Sequence, residues 1–483
     1  METLTLSKSL DQNIASFQAI FQNDNTFIVR IAENAAKTLR CGIFFFDGMV
    51  ESSIINENII RPITRYDGPP LRTAEQVAYS ILQTDECNIN PAIQDMLQAF
   101  LYGDAIVLCD GSDTPIVVNT KGFSVRKMDE PDNEKVIRGS REGFGEGFMA
   151  NLSMIRRRLR TTDLKFSFLT LGTESNTTAC ICYLDSLCDK KVLAELKTRL
   201  DKFVLDGVLD SNYIAECISD HPYSPFSTIG ITERPDIAAA KLLEGRVALI
   251  LDGTPVVLTM PHIFQESFQT NDDYYLNFLH ANVNRVLRIF GFFLTISIPA
   301  LYVALMTYHQ ELIPSKLLIS IAGARQGVPF PTLVETFGLL IVFEVLKEAG
   351  TRTPGSFGQT LSIVGALILG EAAVNSHFIS APLVIVIAFS GTTALMVPKL
   401  QTATTILRFF LLFMASVLGL YGYIIGIALI LMHLSALRSF SIPFMTNILS
   451  ANARSKEDVF LRYPWFLMKR KGRFIASKKR GGS

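Results

Sequence analysis

Between residues 286 and 437 the chain contains no aspartate, and its other charges are few and widely spaced. Three apolar runs stand out there, 289–308, 381–397 and 406–434, with a weaker fourth at 361–374. A bilayer core is about 30 Å thick and takes roughly 20 mostly apolar residues from a crossing helix. The first run meets that length, the last exceeds it, and the other two cross if slightly extended. These runs predict a polytopic membrane protein with about four full spans.

About 285 residues precede the first span and read as a soluble, charged region. After Leu437 the chain carries eleven Lys/Arg against Glu457 and Asp458, a net +9, so the zero overall charge hides a strong asymmetry. Lys and Arg beside a span stay on the cytoplasmic side, which puts this tail inside. The start, Met1-Glu2-Thr3-Leu4, lacks the basic and apolar regions of a signal peptide. The soluble region is therefore expected inside as well, and the number of crossings even. All seven cysteines precede the spans; Cys180 and Cys182 have no second pair to complete a zinc site, so free thiols in a reducing compartment are expected.

In the soluble half, residues 43–46 end at Asp47-Gly48 as a strand and turn, and 73–83 read as a helix capped by Thr73. Runs 105–109 and 115–118 flank Asp110-Gly111 as a hairpin. The same order recurs at 179–184, 191–203 and the runs 246–251 and 255–259 around Asp252-Gly253. Ala-Ile-Val-Leu-Cys-Asp-Gly at 105–111 matches Val-Ala-Leu-Ile-Leu-Asp-Gly at 247–253. A repeat at near-constant offset points to two related α/β subdomains, with Asp-Gly suited to type I′ turns. The expected layout is subdomain one at 1–135, subdomain two at 136–284, a helical transmembrane domain at 285–437 and a basic tail at 438–483.

No enzyme is expected. Gly143, Gly145 and Gly147 lack dinucleotide spacing, and Walker A, zinc-protease and nucleophile-elbow patterns are missing. No cofactor, metal or nucleic acid is implied. Arg156-Arg157-Arg158 with Arg160 could grip a phosphate or an anionic lipid, or form a solvated helix end or subunit contact.

In the membrane half, Arg285 and Arg288 stand at the entrance to the first span and fit the cytoplasmic face. Residues 314–350, broken by Pro329 and Pro331 and carrying Glu335 and Glu344, read as partial or interfacial helices. Residues 359–375 combine Gly365, Ala366, Gly370 and Ala372 with Glu371, so they pack closely and hold one ionisable group. Glu371 marks either a pathway or a helix end at headgroup depth. If this helix lines a pore, Val364, Leu367 and Ile368 form a constriction on the face that Glu371 shares. Gly422 and Gly426 in the last run make a candidate packing face.

Several motifs resemble the A subunit of GerA-type spore germination receptors. They are Val136-Ile137-Arg138-Gly139, Tyr223-Ser224-Pro225-Phe226, Glu233-Arg234-Pro235-Asp236, His309-Gln310 with Leu312-Ile313-Pro314, and Val328-Pro329-Phe330-Pro331. Leu346-Lys347-Glu348-Ala349-Gly350, Gly358-Gln359-Thr360 and Glu371-Ala372-Ala373-Val374 extend the resemblance to residue 374. It implies a nutrient receptor of the spore inner membrane, with a transporter-like, nutrient-binding B subunit and a lipoprotein C subunit as partners. It also implies that A subunits form a homo-oligomeric ring acting as a nutrient-gated ion channel. The competing reading is a secondary transporter or permease-like component, which ordinarily shows repeated sets of spans.

Overall fold

The computed structural model describes residues 5–69, 71, 73–122, 131, 134–202, 204–352, 370–449 and 458–467. Its first lobe is built on five strands: β1 (Phe27–Glu33), β2 (Arg40–Phe46), β3 (Cys87–Ile89), β4 (Ala105–Cys109) and β5 (Ile116–Val118). They lie in the order β1-β2-β4-β5-β3, and every pairing is antiparallel. Helices cover both faces, which is why β4 is apolar at every position rather than alternating. On one face α1 (Leu10–Ile20) and α3 (Ile93–Leu101) bring Phe17 and Phe100 against Phe44 and Phe46. On the other, α2 (Ala74–Ser80) and the π-helix Ile54–Ile60 cover Ile43, Val107 and Val118. Thr73 caps α2 by accepting from the Gln76 amide.

The second lobe repeats this plan. Strands β6 (Leu164–Leu171), β7 (Thr177–Leu184), β8 (Gly230–Thr232), β9 (Val247–Leu251) and β10 (Val257–Met260) lie in the order β6-β7-β9-β10-β8, again wholly antiparallel. Position by position this is the order of the first sheet. Helices α4 (Phe148–Arg158) and α7 (Pro235–Leu243) cover one face, and α5 (Lys190–Asp201) and α6 (Ser211–Ile218) the other. Asp110-Gly111 and Asp252-Gly253 follow equivalent strands. The turns differ from type I′, because only the glycine of each pair takes a positive φ, +86° for Gly111 and +79° for Gly253. Residues 110–115 and 252–256 make longer loops, which need one left-handed residue instead of two. All seven cysteines are free; five are buried, Cys87 is half-buried and Cys217 exposed.

The lobes are joined by Arg156 of α4 and by Arg160 just beyond its end. Arg156 is buried between the rings of Phe46 and Phe166, 4.1 and 4.7 Å from their centroids, and its Nη2 lies 2.5 Å from Asp24 Oδ2. Arg157 and Arg158 pair with Glu142, and Arg160 stacks on Tyr102. The basic cluster is therefore engaged within the chain rather than presented as a solvated helix end.

The third part is helical: α8 (Phe278–Thr307), α9 (Ser315–Ala324), α10 (Thr332–Arg352), α11 (Ala381–Ala394) and α12 (Gln401–Ala436). By length and composition, two helical stretches among the described residues are apolar enough to cross a membrane, Phe278–Thr307 and Pro398–Ala436, the second interrupted at Gly419. The expected four full spans are not all present in that form. The run at 381–397 is helical only to Ala394; 14 residues rise about 21 Å, short of a bilayer core. Most of the run at 361–374 lies outside the described residues. Within residues 314–350, expected as partial or interfacial helices, Thr332–Arg352 forms a continuous 21-residue helix packed on α8 and α11, and it is not among the two stretches apolar enough to cross.

The longest run, expected as one crossing, folds back on itself. Gly419 has φ +60° and ψ −136°, outside helical space. Leu411 then lies against Gly426, 2.7 Å from where a Cβ would stand, and Met414 against Gly422. In a straight helix Leu411 and Gly426 would be about 22 Å apart. Helix α12 is thus a tight antiparallel hairpin, and the two glycines let its arms close. The Tyr308 hydroxyl donates to the Ser416 carbonyl at 2.6 Å, beside the turn.

The hairpin returns the chain to the second lobe. Strands β11 (Arg438–Ser439) and β12 (Ile442–Pro443) pair there, and Phe440 enters the core beneath α5 and α6. Phe444 packs on Phe264. The start of the expected basic tail is therefore part of the folded body.

Candidate functional site: a charge seam in the helices and its junction with the second lobe

An ionised side chain among apolar helices needs a partner, because burial of a lone charge costs far more than a helix contact returns. Arg408, on the first arm of the hairpin, is buried and pairs with Glu344 of α10. Its Nη1 also donates to Ser390 Oγ of α11 at 3.3 Å, and Ser390 donates to the Thr295 carbonyl of α8 at 2.9 Å. Thr295 in turn donates to Thr393 at 2.9 Å. Lys347 pairs with the same Glu344. One polar seam thus ties four helices together. A fully buried carboxylate, Glu335, accepts from the Ser380 amide at 2.5 Å and lies 3.8 Å from Arg325.

At the base of α8 a denser cluster holds the helices to the second lobe. Arg285 Nη1 reaches Asp458 Oδ1 at 2.7 Å and its Nε reaches Asp273 Oδ2 at 3.2 Å. Arg288 pairs with Asp273 and donates to the Phe268 carbonyl at 2.7 Å. The Tyr274 hydroxyl donates to Asp458 at 2.6 Å, and Arg462 to the Asp273 carbonyl. Burial pushes the Asp458 carboxyl up against the pull of Arg285 and raises the Tyr274 hydroxyl further. Both arginines expected as entrance markers are consumed by this network. A cavity of about 220 Å³ opens beside it, lined by Thr270, Asp272, Asn284, Leu287 and Arg288.

Of the other expected residues, Val364, Gly365, Leu367 and Ile368 lie outside the described residues. Gly370 and Glu371 fall in a helical stretch at 370–375, where Gly370 faces Val384 and Glu371 is exposed. Glu371 belongs to neither cluster. The pairing of Glu344 with Arg408 was missed; a lone arginine inside a long apolar run was the available signal. Nothing in the sequence pattern linked Asp458 to Arg285.

The model of the family described as Bacillus/Clostridium GerA spore germination protein matches residues 15–474. The chain belongs to the GerA family. Among its relatives, spore germination protein KA of Bacillus subtilis is 35% identical over 95% of this chain and 86% of its own length. Spore germination protein GerLA of Bacillus cereus is 33% identical over 94% and 93%. The uncharacterized membrane protein YfkQ of Bacillus subtilis is 39% identical over 89% and 85%. The N-terminal domain of the A subunit of the Bacillus megaterium spore germinant receptor GerK3 aligns with a TM-score of 0.44 and 25% identity, over 55% of this chain and 99% of that domain. GerA-family membership gives the chain a role in spore germination and the context of a germinant receptor subunit.

Proposed function

We propose that this GerA-family chain is the A subunit of a nutrient receptor that triggers germination, working with a transporter-like B subunit and a lipoprotein C subunit. In this reading it has no catalytic activity, sits as a multi-pass protein in the spore inner membrane, and keeps its lobes and both termini cytoplasmic. Copies assemble into a ring that conducts ions when nutrient binds. The observation that carries the channel reading is Glu371, exposed at the end of a small-residue segment, whereas Glu335 is buried and Glu344 is paired with Arg408 and Lys347; Glu348 of α10 is exposed too, but lies outside that segment. A carboxylate there is stable facing water or another copy, and in a ring it repeats as a negative band that favours cations. The return of Phe440 to the second lobe supports placing the lobes and the end of the hairpin on one face. Planar-bilayer recording of the purified receptor tests this. Leu367→Ala or Ile368→Ala should leak ions without nutrient, and Glu371→Gln should lower cation preference. Unchanged conductance and selectivity in an assembled complex would place the pathway elsewhere.

A further inference from the structure

Residues 458–467 reverse the usual inside-out order of a surface segment. Their polar members face inward: Asp458 joins Arg285 and Tyr274, and the Arg462 amide donates to Asn282 Oδ1 at 2.6 Å. The Asn282 Nδ2 returns a bond to the Arg462 carbonyl at 3.0 Å, so the segment is fastened to α8. Apart from the buried Val459, the apolar members face out. Phe460, Leu461, Tyr463, Trp465, Phe466 and Leu467 are between 47% and 83% exposed. The Trp465 indole donates to the Tyr274 carbonyl at 3.4 Å, which leaves its ring, not its N–H, at the surface.

Beside this segment, α8 exposes Leu279, Val283, Leu287 and Phe290. Their spacing of four, four and three places them in one stripe, and Phe293 carries it up the helix. The C-terminal segment is tied to this same end of α8 through Asn282 and Arg285. Directly after Leu467 the chain has seven Lys/Arg (Lys469, Arg470, Lys471, Arg473, Lys478, Lys479 and Arg480) and no acid. Aromatic rings beside cations are the composition of a bilayer interface bearing anionic lipid. A second copy is the poorer occupant, since it would bring the same positive charge to the contact.

We propose that residues 460–467, with the exposed stripe of α8 at 279–290, form a membrane-surface anchor that binds anionic phospholipid headgroups on the face carrying the two lobes. The anchor rests on the reading that α8 and the hairpin cross a bilayer. It makes the junction cluster of Asp273, Arg285 and Asp458 a point where lipid contact and lobe position meet.

Trp465 is the only tryptophan in the chain, so the emission of the full-length protein reports this position alone. The protein is reconstituted in phosphatidylcholine vesicles with and without phosphatidylglycerol, and insertion is checked by flotation after an alkaline wash. With phosphatidylglycerol present, lipids brominated near the carbonyl should quench the emission strongly and aqueous iodide weakly. Replacing Lys469, Arg470, Lys471 and Arg473 with Gln should reverse that preference without altering flotation, as should omitting the anionic lipid. Strong iodide quenching with no bromolipid quenching, in protein that floats, overturns the anchor alone. Protection from both quenchers, with cross-linking between copies through residue 466, overturns it in favour of a subunit contact. Loss of the protein on alkaline washing overturns the crossing reading and the anchor together.

Discussion

Arg156 holds the two lobes in register with a contact set that leaves little room for substitution. Its guanidinium lies between two phenylalanine rings and within 2.5 Å of Asp24, with Thr26 Oγ1 3.1 Å from the same nitrogen. Removing one partner of a buried ion pair leaves the other charge unsatisfied and costs about 3–5 kcal/mol. Arg156→Ala should therefore lower the unfolding free energy, read by chemical denaturation, by that order, and adding Asp24→Asn should restore part of the loss. A single mutant as stable as the wild type, or a double mutant with no recovery, would show that the pair does not join the lobes. Arg156→Lys should also destabilise, because an ammonium group has no planar face to stack. The arginine triplet was conspicuous in the sequence, but its destination was not. Asp24 and Phe46 lie more than a hundred positions away, and nothing local distinguishes a charge that ends inside from one that ends in water.

Single elements carry their own sensitivities. The 3₁₀ helix Phe264–Phe268, between β10 and α8, holds the buried Glu266. Lys241 Nζ lies 2.9 Å, Arg246 Nη1 2.8 Å and His262 Nδ1 3.2 Å from its carboxylate. Burial alone would raise the Glu266 carboxyl, but Arg246 and Lys241 outweigh it and hold the group well below its ordinary value of 4.5. Such a group protonates first in the unfolded chain, so the stability it adds is present above pH 4.5 and lost as pH falls toward the folded value. Thermal unfolding followed from neutral pH downward should fall steeply below that point. Glu266→Gln should be less stable at neutral pH and show a shallower acid slope; parallel curves would remove Glu266 as the cause. The strand-and-hairpin elements of both lobes were legible because each β4-type strand is a short apolar run closed by Asp-Gly. The hairpin in α12 was not. Its 406–434 run has several glycines and only isolated polar residues, and only the backbone angle at Gly419 separates a turn from a bend. The excess length of the run was the one sign that it turns.

At the scale of the whole molecule, the chain leaves the second lobe through α8 and comes back to it after the hairpin. A chain ending at Leu437 would lack Phe440 in the lobe's core, Phe444 on Phe264 and Asp458 on Arg285. Deleting a single buried phenylalanine side chain costs about 3–5 kcal/mol, so the truncated protein should melt lower and become protease-sensitive within residues 164–260. Limited proteolysis with mass mapping checks this, and an unchanged cleavage pattern would mean the return contacts are dispensable. The repeat of the lobes and the membrane class were visible in the sequence, whereas this closure depends on long-range contacts that periodicity does not encode. Synthesis runs from the N-terminus, so the strands of the second lobe emerge before the helices and long before Phe440. The first lobe can finish folding on its own schedule. The second stays one aromatic short until the hairpin has delivered the chain to the face from which α8 departed, and a completed second lobe is therefore a record that the helices were threaded correctly.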